Sequence, residues 1–182
     1  MKCMIRVAIL VAVMGVMYGR ADAQVDIKVA GGGVLDPTRV GGHLSIDIPI
    51  GDTYPTYISP FVEFYSKSGI DEIPAGISLI YKAPFSDRYG TVFFGVGGGM
   101  IYARGFPLID SIFGNFIIDQ ATGQVATGTS SEAMLSVLGG LRLDVADRVG
   151  VIVQGRWFRA FATGSTNNIA LHAGLAFTLG ER

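Results

Sequence analysis

The sequence predicts an all-β protein: an eight-stranded antiparallel up-and-down transmembrane β-barrel preceded by a cleaved signal peptide. The hydrophobic pattern changes near residue 24, from one short apolar block to about eight segments that alternate apolar and polar residues. Charged residues make up only 16% of the chain, against about 25% in ordinary soluble domains, and 49% are apolar. Such a chain either buries a large core or faces lipid with every second residue of a closed sheet, and the alternation favours the sheet.

The first element is a secretory signal over residues 1–23. Lys2 and Arg6 give a positive start, residues 7–17 form an apolar block, and Ala21-Asp22-Ala23 offers small residues where a signal peptidase cuts. The block is too short to span a bilayer as a helix, which takes about 20 residues. We therefore expect cleavage before Gln24 and a single barrel domain over residues 24–182.

Four strands are predicted in the N-terminal half of this domain. Each alternates apolar and polar side chains, as in the first strand, where Ile27 and Val29 oppose Asp26 and Lys28. Turn-forming proline, glycine, aspartate and serine separate them. The predicted strands are residues 25–33, 40–48, 56–66 and 72–82.

Four more strands are predicted in the C-terminal half. Residues 90–104 form a glycine-crowded fifth strand whose faces stay ambiguous, and residues 105–130 are too long for a tight hairpin. The remaining strands, residues 131–144, 149–161 and 169–179, alternate clearly. All the links are of hairpin type, so the sequence predicts a meander.

The predicted links differ in length. Those after strands two, four and six are compact, whereas those after strands five and seven are longer. Short turns on one side and long loops on the other fit a bacterial outer-membrane barrel whose amino end is periplasmic. Aromatic residues near both rims, among them Tyr57, Tyr65 and Trp157, are predicted to form interfacial girdles.

With these features the chain resembles the small outer-membrane barrels of the OmpA and OmpX type and, more loosely, the outer membrane protein β-barrel domain proteins. The resemblance covers residues 24–179 and is carried best by GGLRLDVADRVGVIVQGRW, residues 139–157, a strand–short turn–strand unit like the family's penultimate hairpin. It implies residence in the bacterial outer membrane, with outer-membrane lipid and the barrel-assembly machinery as partners.

The inward face of the barrel is predicted to hold a network of paired charges. An eight-stranded barrel is only wide enough for side chains to fill its interior, and unpaired ions would be costly there. A wide water channel is therefore not expected. The predicted lumen residues are Asp26, Lys28, His43, Asp47, Glu63, Lys82, Glu132, Arg142, Asp144 and Arg156.

No catalytic, cofactor or metal site is expected from the sequence. His43, Ser45 and Asp47 share one face, with Glu63 on the next strand, but residues i and i+2 lie about 7 Å apart along a strand, which is long for a nucleophile–base hydrogen bond. His172 stands alone in the sequence, so a metal site with His43 lacks the usual three or four ligands.

The sequence thus predicts a non-enzymatic barrel with a structural or surface-interaction role and an extracellular partner at the exposed loop of residues 105–130. The balance of 14 basic and 15 acidic residues gives no reason to expect nucleic acid. The alternative is a soluble periplasmic or secreted lipocalin-like barrel that binds a small apolar ligand. The two differ in whether the charged face points inward or outward.

Overall fold

The computed structural model describes residues 24–35, 38–50, 55–86, 90–107, 127–161 and 167–180. These residues form eight β-strands and no helix, and therefore no helix that could cross a membrane. The predicted signal peptide lies outside the described residues. The strands are β1 (Val25–Leu35), β2 (Thr38–Pro49), β3 (Thr56–Lys67), β4 (Ile70–Ser86), β5 (Gly90–Pro107), β6 (Thr127–Ala146), β7 (Val149–Ala160) and β8 (Asn167–Leu179).

The eight strands form one closed antiparallel barrel. Each strand pairs with the next along the chain, and β8 pairs with β1 from Val25↔Leu179 to Val34↔Ala170. This last pairing leaves the sheet without an edge strand, so no row of backbone donors and acceptors is left open along the barrel. The predicted fold class, an eight-stranded up-and-down barrel, is confirmed.

Side chains alternate across the barrel wall with a period of two residues. Along β7, Val151, Val153 and Trp157 are exposed on the outside, whereas Ile152 and Phe158 are buried inside. The same alternation leaves large apolar side chains exposed around the barrel, from Val29 on β1 to Leu175 on β8. A continuous apolar exterior over a polar interior is the arrangement of a transmembrane barrel.

The ambiguous fifth strand takes the same alternation. Phe93 and Ile101 are buried inside, while Phe94 and Val96 are exposed outside. β5 and β6 are also longer than predicted, since their pairing continues to Pro107↔Thr127. The pairing of β6 with β7 ends at Met134↔Ala160, so the β5–β6 hairpin extends beyond its neighbour. Residues 108–126, the middle of the predicted long loop, lie outside the described residues.

The lengths of the links differ from the sequence-based prediction. At the end of the barrel that carries Gln24, the N-terminal end, the links are residues 50–55, 87–89 and 147–148. At the opposite end, residues 36–37 and the Ser68-Gly69 turn are links of two residues each. Ser68 and Gly69 both have positive φ (54° and 84°), as a tight two-residue hairpin with right-handed twist requires. The asymmetry therefore rests on residues 108–126 alone, because the link of residues 161–166 is no longer than that of residues 50–55.

The predicted aromatic girdles are only partly right. Tyr81, Phe85 and Trp157 are exposed on the outer surface. Tyr65 is fully buried inside the barrel, and the ring of Tyr57 lies under the Lys82 ammonium at 3.9 Å. Both tyrosines occupy inward positions of β3, where their hydroxyls or ring faces meet polar partners that lipid does not offer.

Candidate functional site

The lumen at the N-terminal end contains a buried cluster of two acids and two lysines, which we call the ion cluster: Asp26, Lys28, Asp47 and Lys82. Lys28 and Lys82 place their Nζ atoms 2.7 and 2.8 Å from Asp47 Oδ2, and Lys82 Nζ also lies 2.6 Å from Asp26 Oδ2. All four side chains are buried. Each charge therefore has an opposite charge beside it, which offsets the cost of burial only while the set stays complete.

Arg142 connects the ion cluster to the rim. Its guanidinium lies 2.7 Å from Asp26 Oδ1 and 2.7 Å from Asp144 Oδ1, and it donates to Thr178 Oγ1 at 2.8 Å. Gly150 makes this position possible, because a Cβ there would lie 2.7 Å from Arg142 Nε. Asp144 is only half-buried and marks where the network meets solvent.

A second group of polar side chains fills the middle of the lumen, and we call it the central cluster: His43, Ser45, Glu63, Tyr65, Arg156 and His172. Arg156 Nε lies 2.9 Å from Glu63 Oε1, and its Nη1 donates to Ser78 and Ser136. The same guanidinium stacks over the Phe61 ring at 3.7 Å. Arg156 is therefore fixed on several sides, and Glu63 has a permanent positive neighbour.

His43 forms two short contacts, one of which was not expected from the sequence. Its Nδ1 lies 3.0 Å from Glu63 Oε1, and its Nε2 lies 3.0 Å from Ser45 Oγ. The expectation that the i, i+2 spacing would keep His43 and Ser45 apart is wrong, because the side chains lean toward each other along the strand. The set has the order of a nucleophile, base and acid, but all three side chains are buried in the lumen, away from lipid.

His172 joins the same cluster from β8. Its Nε2 lies 2.9 Å from Tyr65 Oη, and Tyr65 donates to Glu63 Oε2 at 2.8 Å. The rings of His43 and His172 are 5.2 Å apart. The inference that His172 stands alone is therefore wrong, because closure of the barrel pairs β8 with β1 and so places it only one strand away from β2.

The lumen at the opposite end is closed by apolar side chains. Val34, Ile101, Met134 and Phe158 pack together with Phe61 and Tyr65 and are almost completely buried. An Arg39–Glu72 ion pair adjoins this apolar layer. The interior therefore changes from ionic to mixed to apolar along the barrel.

The structure brings together most of the residues predicted for the lumen. Asp26, Lys28, His43, Asp47, Glu63, Lys82, Arg142 and Arg156 are buried inside, and Asp144 lies at the rim beside Arg142. Glu132 is partly buried on the same face of β6 as Met134 and Ser136, and it pairs across the strands with Ile101 of the apolar layer. Its cross-strand neighbour is apolar, so the charge pairing predicted for Glu132 stays a prediction.

Several residues that line the lumen were not among those predicted from the sequence, chiefly Arg39, Tyr65, Glu72 and His172. Each lies on the inward face by the same period-two rule that identified the others. Tyr65 was counted as a rim aromatic and His172 as an isolated residue, so the alternation alone would have found both.

A shallow cavity of about 170 Å³ opens at the N-terminal end of the barrel. It is lined by Tyr57, Thr91, Arg142 and Asp144, among others, and by two members of the ion cluster, Asp26 and Lys82. Water can therefore enter from this end as far as Asp26 and Lys82.

Comparison with known proteins shows which solved structures have a similar fold. No protein-family model matches the chain, and no curated protein matches it. Among solved structures, Neisserial surface protein A is similar with a TM-score of 0.58 and 14% identity, over 86% of this chain and 96% of that one. The N-terminal β-barrel domain of Pseudomonas aeruginosa OprF is similar with a TM-score of 0.58 and 12% identity, over 88% of this chain and 100% of that one. The chain therefore has the fold of the small eight-stranded outer-membrane barrels.

Proposed function

We propose that this chain is a non-enzymatic bacterial outer-membrane protein with a structural or surface-interaction role. The observation that carries the proposal is the polarity of the barrel wall. Large apolar side chains such as Phe94 and Val153 are more than half exposed outside, whereas Lys28, Asp47 and Glu63 are buried inside. A water-soluble barrel with this wall would expose its apolar side to solvent around its whole circumference.

The same polarity argues against the lipocalin-like alternative. A barrel that holds a small apolar ligand needs an apolar lumen and a polar exterior. Here the lumen is filled with ion pairs and with the apolar layer around Phe158, and the described cavity at the N-terminal end is polar.

A filled lumen also supports a structural or surface-interaction role rather than the transport of solutes through the barrel. The ion cluster blocks one half of the barrel and the apolar layer blocks the other. We further propose that the N-terminal end faces the periplasm and that the β5–β6 hairpin with residues 108–126 faces outward. The hairpin would then meet an extracellular partner, while outer-membrane lipid surrounds the barrel and the assembly machinery inserts it.

Fractionation tests the location. The chain should sediment with outer membranes and require detergent for extraction, and its compact form should resist unfolding by SDS until heated. Recovery in the soluble periplasmic fraction without detergent would overturn the proposal and favour the lipocalin-like alternative.

Protease treatment of intact cells tests the orientation. Cleavage is expected within residues 108–126, and a variant with a protease site inserted in the 147–148 turn should be cut there only after the outer membrane is permeabilised. Cutting of that inserted site in intact cells would reverse the proposed orientation.

A further inference from the structure

We propose that the central cluster is a binding site for one divalent transition-metal ion, held by His43, Glu63 and His172. The chain contains two histidines in all, 129 positions apart, and the fold places both in the lumen with their rings 5.2 Å apart. One ligating atom from each of the three residues lies within 4.8 Å of the other two, and all three residues are buried.

The distances between the ligating atoms fit a small ion. His43 Nδ1 and Glu63 Oε1 are 3.0 Å apart, and Tyr65 Oη lies 2.8 Å from Glu63 Oε2 and 2.9 Å from His172 Nε2. A tetrahedral zinc ion with bonds of about 2.0–2.2 Å holds neighbouring ligand atoms roughly 3.3–3.5 Å apart. The three ligating atoms, which lie within 4.8 Å of one another, would therefore have to draw together by side-chain rotation as a metal ion replaces the shared protons.

The chemistry of the ligands selects the class of metal. Two imidazoles and one carboxylate suit Zn²⁺ and its neighbours Co²⁺, Ni²⁺ and Cu²⁺, whereas Mg²⁺ and Ca²⁺ prefer oxygen ligands alone. Tyr65 Oη or a water molecule would complete the coordination.

Neighbouring groups support the ligands. If His43 binds through Nδ1, its Nε2–H donates to Ser45 Oγ, which already lies 3.0 Å away. Metal-bound histidines are usually held by such a second hydrogen bond. His172 has no such support at Nδ1, which is buried and has no hydrogen-bond partner among the described residues.

Arg156 opposes metal binding, so its removal is expected to increase the affinity for the metal rather than decrease it. Its guanidinium lies 2.9 Å from Glu63 Oε1, so it already neutralises the carboxylate and repels a second cation. Replacement of Arg156 by methionine removes this charge and keeps all three ligands. Arg156→Met should therefore bind the metal more tightly, although it loses the contacts with Ser78 and Ser136.

The experiment uses the full barrel, without a histidine tag, refolded from denaturant into detergent with Zn²⁺ present, because the site is enclosed once the barrel has formed. Only the heat-modifiable, folded fraction is analysed after free metal is removed. We expect one zinc ion per folded wild-type chain by elemental analysis. We also expect binding to weaken by more than about tenfold in His172→Gln and in His43→Gln.

Gln154→Ala is the matched control, since Gln154 faces the same lumen on β7 opposite His172 but is not one of the three ligands. It should keep its zinc. If the histidine variants do not fold, Arg156→Met still decides, because tighter binding is expected only where a metal and Arg156 compete for Glu63. Zinc-free wild-type protein, equal zinc in His172→Gln and wild type, or weaker binding in Arg156→Met would each overturn the proposal.

Discussion

The two halves of the lumen are closed by opposite means. At the N-terminal end, Asp47 holds two lysines in a buried ion cluster. At the opposite end, Ile101, Met134 and Phe158 close the barrel by apolar packing. An ion cluster depends on every member, since loss of one charge leaves others unpaired, whereas an apolar layer loses the contacts of the atoms removed and gains a cavity of their size. A barrel of this size can therefore be filled by ion pairs or by apolar side chains, and the part filled by ion pairs is the more sensitive to substitution.

The largest effect is expected in the ion cluster. Asp47→Ala leaves the ammonium groups of Lys28 and Lys82 without their shared partner, and should lower the free energy of unfolding by about 3–5 kcal/mol. The measurement is a denaturant titration of folding into lipid bilayers. Asp144→Ala at the half-exposed rim is the control and should cost about 0–1 kcal/mol. Equal losses in the two variants would show that the cluster is hydrated rather than buried.

The second-largest loss of stability is expected when a charge is placed on the outer surface of the barrel. Leu175 is exposed on the outside of β8, opposite Val29 and Val151, and Leu175→Arg should cost about 2–4 kcal/mol in bilayers. Val145→Arg, next to the 147–148 turn, should cost about 0–1 kcal/mol, because a rim arginine reaches water. A Val145→Arg loss as large as that of Leu175→Arg would contradict the proposed membrane level.

The apolar layer should tolerate a small deletion. Ile101→Val removes one buried methylene and should lower the free energy of unfolding by about 0.5–1.5 kcal/mol. Ile77→Val, on the exposed outer face of β4, removes the same group from a lipid-facing site and should change the same free energy by less. If Ile77→Val is the more costly, the inward and outward faces are assigned wrongly.

The smallest effect is expected for the conductance of the barrel when one lumen residue is replaced. In planar bilayers the wild-type barrel should show no steady conductance, and Arg156→Ala alone should leave it closed or briefly open, because the layer around Phe158 remains. Openings are expected to become frequent only in the Arg156→Ala, Phe158→Ala double variant. A large and stable conductance from wild-type protein would refute the filled lumen and favour a transport function.

Much of the fold was predictable from local pattern. Alternation with a period of two identified all eight strands and placed Asp26, Lys28, Asp47 and Arg142 on the inward face, since a strand's side chains must point to opposite sides. The strand ends were less accurate: β5 and β6 continue to Pro107 and Thr127, because pairing between two strands can extend where no hydrophobic boundary marks its end.

The sequence by itself determined the fold class and, outside the glycine-crowded fifth strand, the alternation of faces, because both follow from pattern and composition within one segment. Only the tertiary structure decided which inward residues meet. His43 and His172 are neighbours because closure pairs β8 with β1, and Ser45 reaches His43 because side-chain rotamers, unlike Cα spacing, are set by packing. Glu132 likewise meets the apolar Ile101 rather than a cation, because strand register decides which inward side chains lie opposite each other.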